Sequence, residues 1–215
     1  MTDKFLNLIL NIFLNNKLIL FFKYKKYRNN EFDHDFLNIS FENYNEQKKI
    51  FFEKEELINE KKNTDIDSYH QFNWLLVAKK IGGFNSISLA KKHIFAWEEK
   101  KYNYSSLIWN SENVAKRLVN MIYNYDFFAS SADAAEKDRI KKMIIKHYCI
   151  LSLQVSVDRK FLDRSIEIFK SLLLFELVSN QNYNKTLQNI KKHLFVNLNS
   201  NSVHKGMNPS LHAEY

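Results

Sequence analysis

From Asp67 onward the apolar residues fall at intervals of three and four, the spacing of a buried helix face. Asp67 or Ser68 serves as an N-cap before Phe72, Leu75 and Leu76, and Gly82-Gly83 ends that first helix. Ile87, Ala90, Ile94 and Trp97 follow at i, i+3, i+7 and i+10 and mark one face of a second helix. Residues 102–108 read as a loop. Ser111 opens a third helix, whose stripe is Val114, Leu118, Met121, Ile122 and Tyr125 and which closes near Asp126. Ser130-Ser131 with Asp133 and Glu136 then starts a longer one, and its Ile140, Met143, Ile144, His147, Leu151 and Val155 keep the 3.6-residue period. His147 lies on that apolar face and reads as a core residue. The spans 161–177 and 184–196 supply two further helices, the second running into the Asn/Ser-rich segment 197–202. Helices of similar length on short connections predict antiparallel hairpins stacked into a bundle or a curved toroid. No strict repeat marks a solenoid.

The first 66 residues are patterned differently. Residues 5–22 form the most apolar stretch of the chain and run into the basic cluster Lys23, Lys25, Lys26 and Arg28. Asn7, Asn11, Asn15, Asn16 and Lys17 interrupt the stretch well before the roughly 20 apolar residues a bilayer crossing needs. Asp3 precedes it and no small-residue cleavage site follows, so a signal peptide is not supported. The expected element is an amphipathic helix packed on the body, with peripheral membrane contact as the alternative. Residues 29–66, of mixed polarity and ending in the charged run 53–62, read as an extended strap. The expected organisation is a helix and strap over 1–66 and a helical domain over 67–215.

Three glycines and one proline in 215 residues are too few turn formers for a sheet-rich protein, so the fold class is all-α. A single cysteine, Cys149, forms no internal disulfide, and no Cys/His cluster has structural-zinc spacing. No metal or cofactor is expected. A reducing compartment fits, and a cytoplasmic location is favoured over export. The net charge of +8 admits polyanionic partners. Yet the lysines recur as doublets beside glutamates, as on solvated helix faces, and no nucleic-acid-binding signature appears, so a nucleic-acid partner is not expected.

Three blocks carry more specific information. Tyr69-His70-Gln71-Phe72-Asn73-Trp74-Leu75 with Ile81-Gly82-Gly83 is the first, and the run from Trp109 to Asn120, containing Ala115, Arg117 and Leu118, is the second. The third runs from His204 through Asn208-Pro209-Ser210 to Glu214. In order and spacing they resemble the helical N-terminal region of the heparinase II/III family of polysaccharide lyases. The second is similar to the family's tryptophan followed by an Ala-Arg-Arg-Leu-type helix. The third is similar to an Asp-Gly-Gly-His segment leading into Arg-Asn-Pro-Ser. The resemblance implies an incomplete (α/α) toroid over 67–215, followed in full-length relatives by an antiparallel β-sandwich. No part of the 215 residues corresponds to that second domain, so the chain is expected to stop before it.

The same resemblance implies an acidic polysaccharide as partner and β-elimination beside a uronic acid as the reaction. That chemistry removes a weakly acidic proton α to a carboxylate, so the site must neutralise the carboxylate where charge develops. It must also supply a base and an acid, roles open to histidine. Asn208 is the candidate neutraliser, with His204 and His212 the candidate base and acid. Arg117 is a candidate partner for a sugar carboxylate, Trp109 for stacking on a sugar ring, and His70 for a place beside them. Each of these three also has a structural reading, as brace, staple and core residue. Three departures from the family pattern stand out: Asn201-Ser202-Val203 replaces Asp-Gly-Gly, Met207 replaces a basic residue, and Leu211 falls where relatives carry a tyrosine. The competing reading is a non-enzymatic helical module that binds acidic glycan or another polyanion through a basic face.

Overall fold

The computed structural model describes residues 25–27, 69–100, 102, 107–157 and 166–198. Within them the protein is all-α, built from α1 (Trp74–Ile81), α2 (Gly83–Glu99), a 3-10 turn (Leu107–Trp109), α3 (Ser111–Tyr123), α4 (Tyr125–Ala129), α5 (Ala134–Val157), α6 (Ile166–Val178) and α7 (Asn184–Asn197). No described helix is long and apolar enough to cross a membrane.

The helix ends follow local chemistry. Gly82 adopts φ +66°, a region open to glycine at little steric cost, and its N–H closes α1 on the Ala78 carbonyl at 3.0 Å. Asn110 caps α3 by accepting from the Asn113 N–H at 2.7 Å. Asp133 and Glu136 form the reciprocal capping box of α5, with Glu136 N–H donating to Asp133 Oδ1 at 2.8 Å and Asp133 N–H to Glu136 Oε2 at 3.1 Å. The third helix does not run to Asp126. It breaks at Asn124, whose side-chain amide donates to the Asn120 carbonyl at 2.9 Å, and a new short helix starts at Tyr125. A side chain that competes for backbone acceptors in this way interrupts a helix.

The first helix also differs from expectation. Asp67 and Ser68 lie outside the described residues, and residues 71–73 form a turn before α1 begins at Trp74. Phe72 sits in this turn at φ +61°, a conformation that costs an L-residue roughly 1–2 kcal/mol, yet its ring is fully buried. Core burial of a phenylalanine, worth about 1.5–3 kcal/mol, offsets that strain.

The expected stripes face inward. Val114, Leu118, Met121 and Ile122 of α3 and Ile140, Met143, Ile144, His147 and Leu151 of α5 are buried, as are Ala90, Ile94 and Trp97 of α2. They join one continuous core. Helix α3 is central, packing against α1, α4, α5, α6 and the 3-10 turn. Arg139 of α5 clamps α2 through Glu98 and Glu99, and Lys91 of α2 reaches Glu136 at 2.8 Å. The expected amphipathic helix and strap lie outside the described residues except at Lys25–Tyr27. There the chain is helical, and the buried Tyr27 ring stands edge-on to Tyr148 and Phe175 at 5.7 and 5.6 Å.

Candidate functional site

The turn at 69–73, the 3-10 turn and α3 bring His70, Trp109 and Arg117 into one cluster. Arg117 is fully buried. Its Nε donates to His147 Nε2 at 2.7 Å, its Nη1 to the His70 carbonyl and its Nη2 to the Ile108 carbonyl at 3.2 Å. The guanidinium lies 4.4 Å from the Trp97 ring centroid and 4.9 Å from that of Trp109. Aromatic faces attract a desolvated cation, and here they stand where a carboxylate would usually be. Neither Arg117 nor His147 has a carboxylate among its hydrogen-bond or ion-pair partners in the described residues. Burial without a counter-ion lowers the Arg117 pKa to about 9, which leaves it cationic at neutral pH.

The surrounding groups fix the imidazole tautomers. A guanidinium N–H can only donate, so His147 Nε2 is an acceptor, and His147 Nδ1 carries the proton that it donates to the Met143 carbonyl at 2.7 Å. Burial, followed by the Arg117 charge, holds His147 well below the usual histidine range. Trp97 Nε1 donates to His70 Nδ1 at 2.9 Å, which makes that nitrogen an acceptor too. Trp109 stacks on His147 at 5.2 Å and donates to the Tyr102 carbonyl at 3.2 Å.

An amide belt ties the same elements together at its edge. Gln71 donates to Asn113 Oδ1 at 2.7 Å, and Asn120 donates to the Gln71 carbonyl and to Asn73 Oδ1, both at 2.9 Å. Gln154 of α5 donates to the Trp109 carbonyl at 2.8 Å. Two of the three blocks singled out in the sequence, 69–75 and 109–120, therefore interlock residue by residue. The three side chains considered as sugar contacts lie inside this joint. All three nitrogens of Arg117 are engaged by protein acceptors, and Trp109 and His70 are buried. His204, Asn208, Leu211 and His212 lie outside the described residues.

A second buried polar group lies between α5, α6 and α7. Glu176 Oε1 accepts from Tyr148 Oη and from Thr186 Oγ1, each at 2.9 Å, while Oε2 is buried with no hydrogen-bond partner among the described residues. Burial raises the Glu176 pKa above its ordinary value of 4.5. Sequence reading missed both Glu176 and the pairing of His147 with Arg117. The available signal was a charged or polar residue inside an apolar run, at Glu176 among Leu172 to Val178 and at Arg117 beside Leu118.

Compared with known protein-family models, curated proteins and solved structures, the chain matches none.

Proposed function

We propose that the chain is the helical portion of a heparinase II/III-like polysaccharide lyase, acting by β-elimination on a uronate-containing polysaccharide. The observation that carries this reading is the interlocking of the first two blocks. Residues 69–75 and 109–120, on which the resemblance rests together with the terminal block, meet through Arg117–His70, Gln71–Asn113 and Asn120–Asn73 hydrogen bonds. A motif distributed over 50 residues is thereby a single three-dimensional unit.

On this reading the joint is scaffold and the chemistry belongs to the terminal block. Asn208 neutralises the uronate carboxylate, and His204 and His212 exchange the protons. His70, Trp109 and Arg117 hold the turn and the helix in register without touching sugar.

The test is incubation of the full chain with a panel of sulfated glycosaminoglycans, alginate and pectate, monitored by the near-ultraviolet absorbance of the unsaturated uronate product. Absorbance that rises with one substrate supports the reading. His204→Ala or His212→Ala should then lower the rate about 10²–10⁴-fold. Asn208→Ala should lower it by about 10²–10³-fold. Salt-sensitive retention on the same polysaccharides without product would favour instead a binding module with a basic face. If neither product nor retention appears, the glycan assignment for this chain is overturned.

A further inference from the structure

We propose that His147 is an acid-release latch, which through Arg117 holds residues 69–81 onto α3 while its imidazole is neutral and frees them when it takes up a proton. The argument is one of donors and acceptors. His147 Nε2 faces the Nε–H of Arg117 at 2.7 Å, and His70 Nδ1 faces the indole N–H of Trp97 at 2.9 Å. Neither a guanidinium nor an indole N–H can accept a hydrogen bond. A proton added to His147 Nε2 therefore turns a hydrogen bond into a donor–donor clash.

The charges around His147 make the clash worse. Arg117 faces it from α3 and Lys146 flanks it on α5 itself; Trp97 of α2 and Trp109 of the 3-10 turn offer only rings. Tyr102 lies beside His70 and Arg117, and Tyr69 packs edge-on to His70. An imidazolium at His147 would thus stand against two cations. Loss of the Arg117 contacts would also release the His70 carbonyl, which Arg117 Nη1 holds. That carbonyl is the covalent lead into α1, so the segment most readily detached is the first block and the helix after it.

The direction of the effect follows from linkage. His147 in the folded chain is held well below 6.5, so the latch is fully closed above that value, and its stability is lost as the pH falls below it. Protonation of His147 on opening raises the opening constant by about tenfold per pH unit in that window. The device is independent of the lyase reading and would operate in a binding module as well.

The protein carries its own reporters. Its three tryptophans, Trp74, Trp97 and Trp109, all belong to this joint. The test follows indole N–H exchange and tryptophan emission in the full chain from pH 8 to pH 5, alongside far-ultraviolet circular dichroism. The expected result is a loss of indole protection of about tenfold per pH unit below 6.5, corrected for intrinsic exchange, that precedes loss of helix. His147→Gln, which keeps an acceptor for Arg117 and cannot ionise, should remove most of that slope. An NMR titration of the wild-type imidazoles decides the matter even if this variant fails to fold. Protection that stays flat to pH 5.5, or a His147 ring that titrates near 6.5 in the intact fold, overturns the proposal.

Discussion

At Arg117 all three nitrogens of a buried cation donate to protein acceptors and two indole rings cover its faces, whereas at Glu176 one carboxylate oxygen accepts two hydrogen bonds and the other has no hydrogen-bond partner among the described residues. The two sites are joined through adjacent residues of α5, His147 serving the first and Tyr148 the second. Arginine tolerates such a place because its charge is delocalised, weakly hydrated and arranged as a fork that neutral acceptors can fill. A carboxylate concentrates its charge on two atoms, and an unfilled oxygen favours uptake of a proton instead. Arg117 accordingly stays charged at neutral pH with its pKa at about 9, while Glu176 is pushed upward from 4.5. The buried cation is used as a tie, and the buried acid as a group whose charge depends on its surroundings.

The sharpest way to break the contrast is to remove the tie. Arg117→Met deletes the cation and leaves His147 Nε2 and the carbonyls of His70 and Ile108 without a donor. Unsatisfied buried acceptors cost about 1–3 kcal/mol each, and losses inside one network are not additive. A fall in unfolding free energy of about 3–5 kcal/mol is expected, read from the urea midpoint at pH 8. Arg117→Lys should recover little of it, since one ammonium cannot span acceptors on three separate elements. A loss under about 1 kcal/mol would show that the aromatic box alone holds the joint.

A smaller effect is expected at the second site. Tyr148→Phe removes one of the two donors to Glu176 Oε1 and keeps the ring, which stacks on Phe175 at 4.1 Å. The cost should be about 1.5–3 kcal/mol at pH 8 and should shrink toward pH 4, where the carboxyl is neutral and needs the hydroxyl less. The same substitution should leave tryptophan emission unchanged, because no tryptophan packs at Glu176. Coupling between Tyr148→Phe and Arg117→Met in a double-mutant cycle would show that α5 transmits strain between the two sites.

What was legible in the sequence is what repeats with a period or sits at an end. The stripes of α3 and α5, the Asp133–Glu136 box and the stop at Gly82 each depend on residues within a turn or two of one another. The break at Asn124 was missed by two residues because it depends on a side-chain amide turning back to Asn120, a choice that spacing does not reveal. Arg117 and His147 are 30 residues apart, and nothing local says that one guanidinium will find one imidazole across two helices. His147 was readable as core from its place in the stripe, but its tautomer and its partner were not. The blocks at 69–75 and 109–120 could be picked out from their order, yet only tertiary packing places their polar side chains inside the core rather than on a surface. For the candidate acid, base and neutraliser at His204, His212 and Asn208, the sequence remains the source of the assignment.

The mildest substitution tests the contrast most directly. Glu176→Gln keeps an oxygen to accept from Tyr148 and Thr186 and removes the ability to ionise. Because the folded-state pKa of Glu176 is raised above 4.5, its share of stability is fully present below that value and is lost as the pH rises through the folded value. His147 works in the opposite sense, losing stability as the pH falls below 6.5. Wild-type stability therefore carries two opposing arms, one that falls with Glu176 as the pH rises above 4.5 and one that rises with His147 up to 6.5. The Gln variant should lose only the Glu176 arm, staying within about 1 kcal/mol of wild type at pH 4 and gaining on it toward pH 8. Urea midpoints taken across that range read both arms at once. Should Glu176→Gln fail to gain on wild type toward pH 8, Glu176 takes up no extra proton in the folded chain, and the two joints handle buried charge alike.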